Sequence, residues 1–291
     1  MDEITALHTA ARSYCQKEFS EWMGRYSSLM TAGKVQVPRQ GSIGWDYTEE
    51  AYQLFPRYRI AQGIQVEVER IIPSDAKSVE DLRAFLLKSA QSAQDKLSAE
   101  LKNPFAKTAI AKEADEYRKF LRGLTKEDLD AVQALPYRRV LIEQESERIW
   151  AGLKDRWDIG GNYWFPLREC DPPSDVMPFH EECFHERHGL ELLRKVLAER
   201  GIIRVFQLHE FGSPDYEVEL SIFEPRYAGG GEQYSTSKSL DWLVYASHES
   251  SITIAGDWLS AFFRGQWPDW KERTYQGPYS TADLRGTWGA K

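Results

Sequence analysis

The sequence predicts an α+β protein, with a mainly helical N-terminal region followed by a C-terminal domain that has a mainly antiparallel sheet covered by helices. The clearest evidence is the run DWLVYASHESSITIAGDWLSAFF at residues 241–263. Its residues 242–247 and 251–255 are rich in β-branched and aromatic side chains and predict a strand hairpin with a turn at 248–250. Asp257 is the expected N-cap of a covering helix. Before residue 157, apolar residues recur every three or four positions, which predicts helices.

Composition and charge limit the function classes. The chain has 291 residues, of which 42% are hydrophobic and 28% are charged, the balance of a folded protein. Residues 1–156 contain 24 Lys and Arg against 24 Asp and Glu, whereas residues 157–291 contain 13 against 21. The formal net charge of -8 therefore lies in the second half. This acidity disfavours binding to nucleic acids or anionic membranes and favours a basic protein partner.

Two domains are predicted, a mainly helical domain at 1–157 and an acidic, aromatic-rich α+β domain at 158–291. The three cysteines, Cys15, Cys170 and Cys183, are too few for a disulfide framework and indicate a reducing compartment. The N-terminal residues lack a basic start followed by an apolar core, and no apolar run reaches the roughly 18 residues of a membrane span. We therefore expect a cytoplasmic protein.

The first elements are a helix, a loop and a strand. An apolar stripe predicts a helix over residues 2–32, which ends at Gly33. Residues 34–59 are rich in Gly, Pro and aromatic residues and predict an ordered loop. Its packing residues are expected to be Trp45, Tyr47, Tyr52 and Phe55. Ile64, Val66 and Val68 alternate with polar residues and predict a strand, with a short helix ending at Pro73 as the alternative.

Three helices are expected next. Ser78 and Asp81 form a capping-box pattern that predicts a helix as far as about residue 102. Pro104 marks the start of a second helix, which ends at Gly123. Thr125 begins a second capping pattern and predicts a short third helix.

The predicted boundary lies near Asp158, between a charged helix at 137–157 and a strand at 163–165. Residues 168–178 predict a loop, and residues 179–200 predict one helix. Residues 202–211 and 216–223 predict two strands joined by a turn at 212–215. In the second of these strands, Glu217, Glu219 and Ser221 share the face that is expected to meet water.

The run FHEECFHERHG at residues 179–189 is a candidate metal site. On one continuous helix, Glu181, His185 and His188 share a face, and two imidazoles with a carboxylate are competent zinc or iron ligands. Glu181 and His188 would lie about 10 Å apart along the axis, so an ion needs two of the three and a ligand from elsewhere. The candidates for that ligand are His209, Glu210 and Cys170. Two other interpretations are a solvated helix start and a structural zinc site that uses Cys170 and Cys183.

The turn of the predicted hairpin at 242–255 supplies a second candidate. His248 and Glu249 lie at its tip, where rigid strands often hold working residues. General acid–base catalysis would need one of these side chains to be buried or paired, because both have ordinary pKa values in water. The alternative is that they are polar turn residues without a catalytic role.

Two functions follow from these patterns. The first is a non-enzymatic interaction protein, similar to an inhibitor or an immunity protein, that binds a basic protein partner through its acidic, Trp-rich C-terminal domain. Its expected binding residues are Glu217, Glu219, Trp242, Glu249, Trp267 and Trp270. This function needs no cofactor.

The second function is a metal-dependent hydrolase. It would use the cluster of His and Glu residues on the helix that starts near Phe179, with zinc as the cofactor. Bound zinc lowers the pKa of water, and Glu186 or Glu249 would act as the base.

Overall fold

The structure, a computed structural model, describes residues 1–39, 41, 43–159, 164, 174–227 and 231–275. It confirms the α+β class, because a mostly helical N-terminal region precedes an antiparallel sheet with helices. The chain divides into two compact units, Met1–Leu135 and Pro136–Lys291. The second unit therefore begins at Pro136, ahead of the change in charge at residue 157.

The first unit is a helical bundle centred on its second helix. Its helices are α1 (Glu3–Thr31), α2 (Glu49–Glu69), α3 (Val79–Glu100), α4 (Pro104–Gly123) and α5 (Lys126–Asp130). The middle helix α2 packs against α1, α3 and α4. Apolar residues from these helices form one core, which includes Leu7, Ile60, Leu82, Leu86, Ile110 and Leu121.

Local caps begin the helices where the sequence predicts them. The side chain of Ser78 accepts a hydrogen bond from the backbone N–H of Asp81 at the start of α3. Thr125 and Asp128 form a reciprocal capping box at the start of α5. The three helices expected between residues 78 and 136 are thus confirmed.

The region between α1 and α3 differs from expectation. The strand predicted at Ile64, Val66 and Val68 is wrong, because these residues belong to α2. Ile60, Ile64 and Val68 are buried at a spacing of four residues, which a helix and an alternating strand share. The expected loop at 34–59 instead contains the start of α2 and a small hairpin of β1 (Gln36–Pro38) and β2 (Trp45–Tyr47).

The described strands of the second unit form one antiparallel sheet. They are β3 (Arg138–Val140), β4 (Val176–His180), β5 (Arg204–His209), β6 (Tyr216–Glu219), β7 (Gln233–Thr236), β8 (Leu243–Ser247) and β9 (Ser251–Ala255). Their order across the sheet is β3-β6-β5-β7-β8-β9-β4. The predicted hairpins β5–β6 and β8–β9 are both confirmed.

Helices cover both faces of this sheet. On one face, α6 (Glu143–Trp157) contributes Ile149 and Leu153 to a core with Leu208, Tyr234 and Tyr245. On the opposite face lie α7 (Glu181–Glu186), α8 (Gly189–Glu199) and α9 (Asp257–Gln266). That face is packed with aromatic rings, and Phe179, Phe184, Phe263 and Trp267 contact one another there.

Four further expectations for this unit need correction. The helix expected at 137–157 begins only at Glu143, because β3 precedes it and pairs with β6. The single helix expected at 179–200 is β4, α7 and α8, with a break at Arg187 and His188. The second strand of the β5–β6 hairpin ends at Glu219, where a 3-10 turn replaces it. Gly256, rather than Asp257, is the N-cap of α9, and its φ of 114° suits glycine.

Some predicted segments cannot be compared. The strand expected at 163–165 lies outside the described residues apart from Trp164, as does most of the loop expected at 168–178, including Cys170. The described end of that loop is wrong, because β4 begins at Val176 and pairs with β9. Within the described ranges, no helix is both long and apolar enough to cross a membrane.

Candidate functional site

The strand ends gather polar residues at one rim of the sheet in the second unit. The pairs His209 with Gln233, Gln233 with Ala246, and Ser247 with Ser251 place the ends of β5, β7, β8 and β9 side by side. His180, at the end of β4, pairs with Ser251 and extends the row. We call this row the polar rim and define it by His180, His209, Glu210, Glu232, His248 and Glu249.

A pair formed by Glu232 and His248 lies in the middle of the polar rim. His248 Nδ1 is 2.6 Å from Glu232 Oε1, and the Ser247 hydroxyl donates to the same oxygen over 3.2 Å. The Glu232 side chain is only 5% exposed, whereas the imidazole of His248 is 60% exposed. The second oxygen, Glu232 Oε2, is buried and has no hydrogen-bond partner within the described part of the chain. The pair therefore joins a buried acid to a side chain that reaches water.

Burial controls the electrostatics of Glu232. Desolvation raises the pKa of this carboxyl group above its usual value of 4.5, because the charged form loses contact with water. Hydrogen bonds from His248 and Ser247 oppose the increase, and the nearby charge of Glu210 adds to it. Ionised Glu232 therefore gains from any additional cation that approaches it.

The partner of Glu232 differs from those of the other buried acids. Four glutamates are buried among the residues that the structure describes. Three have an arginine nitrogen on a carboxylate oxygen: Glu69 with Arg12 at 3.3 Å, Glu113 with Arg57 at 3.1 Å, and Glu217 with Arg139 at 2.9 Å. Glu232 instead has an imidazole and a hydroxyl. No arginine of the described chain forms an ion pair with it.

Of the two residues predicted at the hairpin tip, His248 meets the stated condition because it is paired. Its partner is Glu232, which was not predicted, rather than the adjacent Glu249. Glu249 lies at the same tip, half-buried, and accepts a hydrogen bond from the Tyr275 hydroxyl over 3.4 Å. No local sequence pattern marks Glu232, because it lies 16 residues before His248 and is joined to it only by the pairing of β7 with β8.

The predicted binding residues Trp242, Trp267 and Trp270 do not form an exposed tryptophan surface. Trp242 is fully buried and donates its indole N–H to Ser237 Oγ, and Trp267 is buried against Phe179. Trp270 is half-buried. Among the described residues, the exposed indole is that of Trp45, in the hairpin of the first unit.

The predicted acidic residues do not form one surface. Glu217 is buried against Arg139, so the expectation that it faces water is wrong. Glu219 accepts hydrogen bonds from Ser221 Oγ and from the backbone N–H of Tyr137. Since β5 and β7 separate β6 from β8, these two glutamates lie about 14 Å across the sheet from the strand that leads to Glu249.

The proposed metal ligands are also separated. His185 and Glu181 are in contact, with 3.7 Å between Nε2 and Oε1. His188 lies beyond the end of α7, where a left-handed φ of 55° starts α8 in a new direction. The continuous helix on which the metal hypothesis depended is therefore wrong. Within the described ranges, no group of three or more His, Cys, Asp or Glu side chains is placed to hold a metal ion.

The remaining candidate ligands have other surroundings. His209 is half-buried, and desolvation lowers its pKa. Glu210 belongs to the polar rim, where its backbone N–H donates to the Glu232 carbonyl over 3.0 Å. Cys183 is a free thiol, and Cys170 lies outside the described residues.

Comparison of the chain with protein-family models, with curated protein sequences and with solved structures finds no match.

Proposed function

We propose that the protein is an interaction protein, similar to an inhibitor or an immunity protein, which binds a basic protein partner at the polar rim. One observation carries the proposal: Glu232 is a buried carboxylate that has a histidine where the other three buried glutamates have an arginine. A cationic side chain from a partner would supply the missing counter-ion.

The surroundings of Glu232 suit such a partner. Glu210 and Glu249 lie on the same rim and increase its negative potential. The formal charge of -8 after residue 156 attracts a basic protein from a distance and opposes binding to nucleic acids and anionic membranes. Tyr227 is exposed, and its ring centroid lies 6.1 Å from that of His248, so it offers an aromatic contact of the kind enriched at interfaces.

Calorimetric titration with a hexa-arginine peptide tests the proposal. We expect Glu232→Gln to weaken binding by about tenfold or more, because losing one charge-assisted contact costs about 1.4 kcal/mol or more. Glu199→Gln is the matched control, since it removes the same charge from an exposed position on α8. Equal affinity of the Glu232 and Glu199 variants would overturn the proposal.

We further propose that the protein works in the cytoplasm. Cys15 and Cys183 are free thiols, which supports a reducing compartment. Fractionation of the native cells, followed by immunoblotting, tests this location.

A hydrolase is the second candidate, because the histidine of the pair is open to water. With Nδ1 held on Glu232, His248 Nε2 is directed to take a proton from a water molecule that attacks an ester carbonyl. The resulting imidazolium would return the proton to the alkoxide that leaves. The test is hydrolysis of p-nitrophenyl acetate by wild type and His248→Ala, with N-acetylhistidine at equal concentration as the background. Equal rates for all three would end this candidate.

A further inference from the structure

We propose that the partner inserts an arginine side chain, and that its guanidinium displaces the imidazole of His248 from Glu232. This inference rests on the proposed binding function and specifies its central contact. In the free protein, the imidazole of His248 would then occupy Glu232 until the guanidinium replaces it. We call the imidazole in this position the cover.

The exposure of the pair supports displacement. The imidazole is 60% exposed and uses one nitrogen, Nδ1, to hold Glu232, which is itself 5% exposed. An exposed side chain of this kind changes rotamer on the picosecond to nanosecond scale. When His248 rotates outward, Glu232 Oε1 loses its contact with the imidazole and can accept a hydrogen bond from another cation.

The backbone of the turn does not depend on the imidazole. Ser247 pairs with Ser251 across the hairpin, and the backbone N–H of Glu249 donates to Ser247 Oγ over 3.2 Å. The backbone N–H of Glu181 donates to the Ser250 carbonyl over 2.9 Å and ties the turn to α7. Displacement therefore requires a rotation of one side chain rather than the opening of a strand pair.

Hydrogen-bond geometry favours arginine over histidine and lysine. Glu232 Oε1 already accepts two hydrogen bonds, whereas Oε2 has no partner within the described part of the chain. A guanidinium presents two parallel N–H groups that match both oxygens of a carboxylate, and imidazole and ammonium groups lack this planar fork. The three arginine-paired glutamates show that buried carboxylates in this chain take guanidinium partners, in each case with the arginine nitrogen closest to one of the two oxygens.

The test titrates wild type and His248→Ala with hexa-arginine and with hexa-lysine, and follows the side-chain nitrogens of His248 in wild type by NMR. We expect His248→Ala to bind hexa-arginine about three- to tenfold more tightly than wild type, because no cover must be removed. Hexa-arginine should bind more tightly than hexa-lysine. In wild type, the Nδ1 signal should move to the position of a histidine in free solution as the peptide saturates.

Each outcome separates the two proposals. If wild type binds hexa-arginine and His248→Ala binds it equally or more weakly, the claim that His248 must be displaced from Glu232 is overturned. The proposed binding function then stands. If hexa-lysine binds as tightly as hexa-arginine, the guanidinium contact is overturned. If neither wild type nor His248→Ala binds either peptide, both the function and the inference are overturned.

Discussion

Glu69 in the helical unit and Glu232 in the sheet unit are both buried carboxylates, but the partner of Glu69 is buried and the partner of Glu232 is exposed. Glu69 pairs with Arg12, and the two side chains are 0% and 6% exposed. Glu232 pairs with His248, whose side chain is 60% exposed. The comparison teaches that a buried acid contributes to the stability of the fold when its cationic partner is also buried.

The same comparison separates stability from recognition. Glu69 and its cation are both buried among the helices, so removing either one takes an opposite charge away from a buried group. Glu232 has a partner that can leave for water and be replaced from outside. We therefore expect substitutions in the first pair to change the free energy of unfolding, and those in the second pair to change binding.

The largest expected effect is that of Arg12→Ala. Without the guanidinium, the buried carboxylate of Glu69 loses the cation on its Oε1, and we expect the free energy of unfolding to fall by about 3–5 kcal/mol. Urea unfolding followed by circular dichroism measures the change. A loss below about 1 kcal/mol would show that this pair is not the stabilising device described here.

Arg25→Ala is the control for this prediction. Arg25 forms an ion pair with Glu21 on the same helix, but their side chains are 55% and 42% exposed. Because water screens exposed pairs, the expected loss is about 0–1 kcal/mol. Equal losses for the Arg12 and Arg25 variants would remove the distinction between buried and exposed partners.

The fold could be predicted where short-range contacts determine it. The caps of α3 and α5 are bonds between residues three positions apart, and the turn of β8–β9 is equally local, so the sequence pattern is sufficient. The prediction of a strand at Ile64 failed because apolar residues four positions apart share a face both in an alternating strand and in a helix. The helix expected from Phe179 failed because pairing with Ile252, 73 residues away, makes this segment a strand.

The site was predictable only in part for the same reason. His248 was predicted because it lies at a hairpin tip, which the local pattern reveals. The contact with its partner Glu232 depends on the pairing of β7 with β8, and the burial of Trp242 depends on contacts near the start of β8, such as the bond from its indole N–H to Ser237 Oγ. Composition gives the number of indoles and acids in a domain. It does not give the side of the fold on which each one lies.

Acidification should destabilise the helical unit through His8. This residue is buried, and its ring nitrogen Nε2 lies 3.0 Å from the Val68 carbonyl. Burial, with a smaller contribution from Arg12, lowers its pKa from 6.5 to about 4. The stability that neutral His8 contributes is complete above pH 6.5 and is lost as the pH falls through about 4. This loss is about 3 kcal/mol.

Urea unfolding at pH 7 and pH 4 measures the effect. In a His8→Gln variant, whose amide keeps a donor but does not titrate, the difference between the two pH values should be smaller by about 3 kcal/mol. The same difference in wild type and variant would assign the acid sensitivity to other groups.

Glu232→Gln should leave stability nearly unchanged at pH 7, within about 1 kcal/mol. The amide avoids the desolvation that raises the pKa of Glu232, and it loses only the charge-assisted bond to His248. Since this pKa is raised, the stability contributed by the acid is complete below pH 4.5 and is lost as the pH rises through the folded-state pKa. Glu69→Gln is the matched contrast, and it should destabilise more because the buried guanidinium of Arg12 would lose the charge of this partner.

The smallest expected effect on stability is that of His248→Ala, within about 0.5 kcal/mol of wild type. Water can enter to solvate Glu232 when the exposed imidazole is removed, so the carboxylate gains an alternative partner. Thermal unfolding at pH 7 measures the change, and Tyr227→Ala at the neighbouring exposed ring serves as the control. A loss above about 2 kcal/mol for His248→Ala would mean that the imidazole is a structural counter-ion like Arg12. The pairs Arg12–Glu69 and His248–Glu232 would then both serve to stabilise the fold, and the contrast between them would be lost.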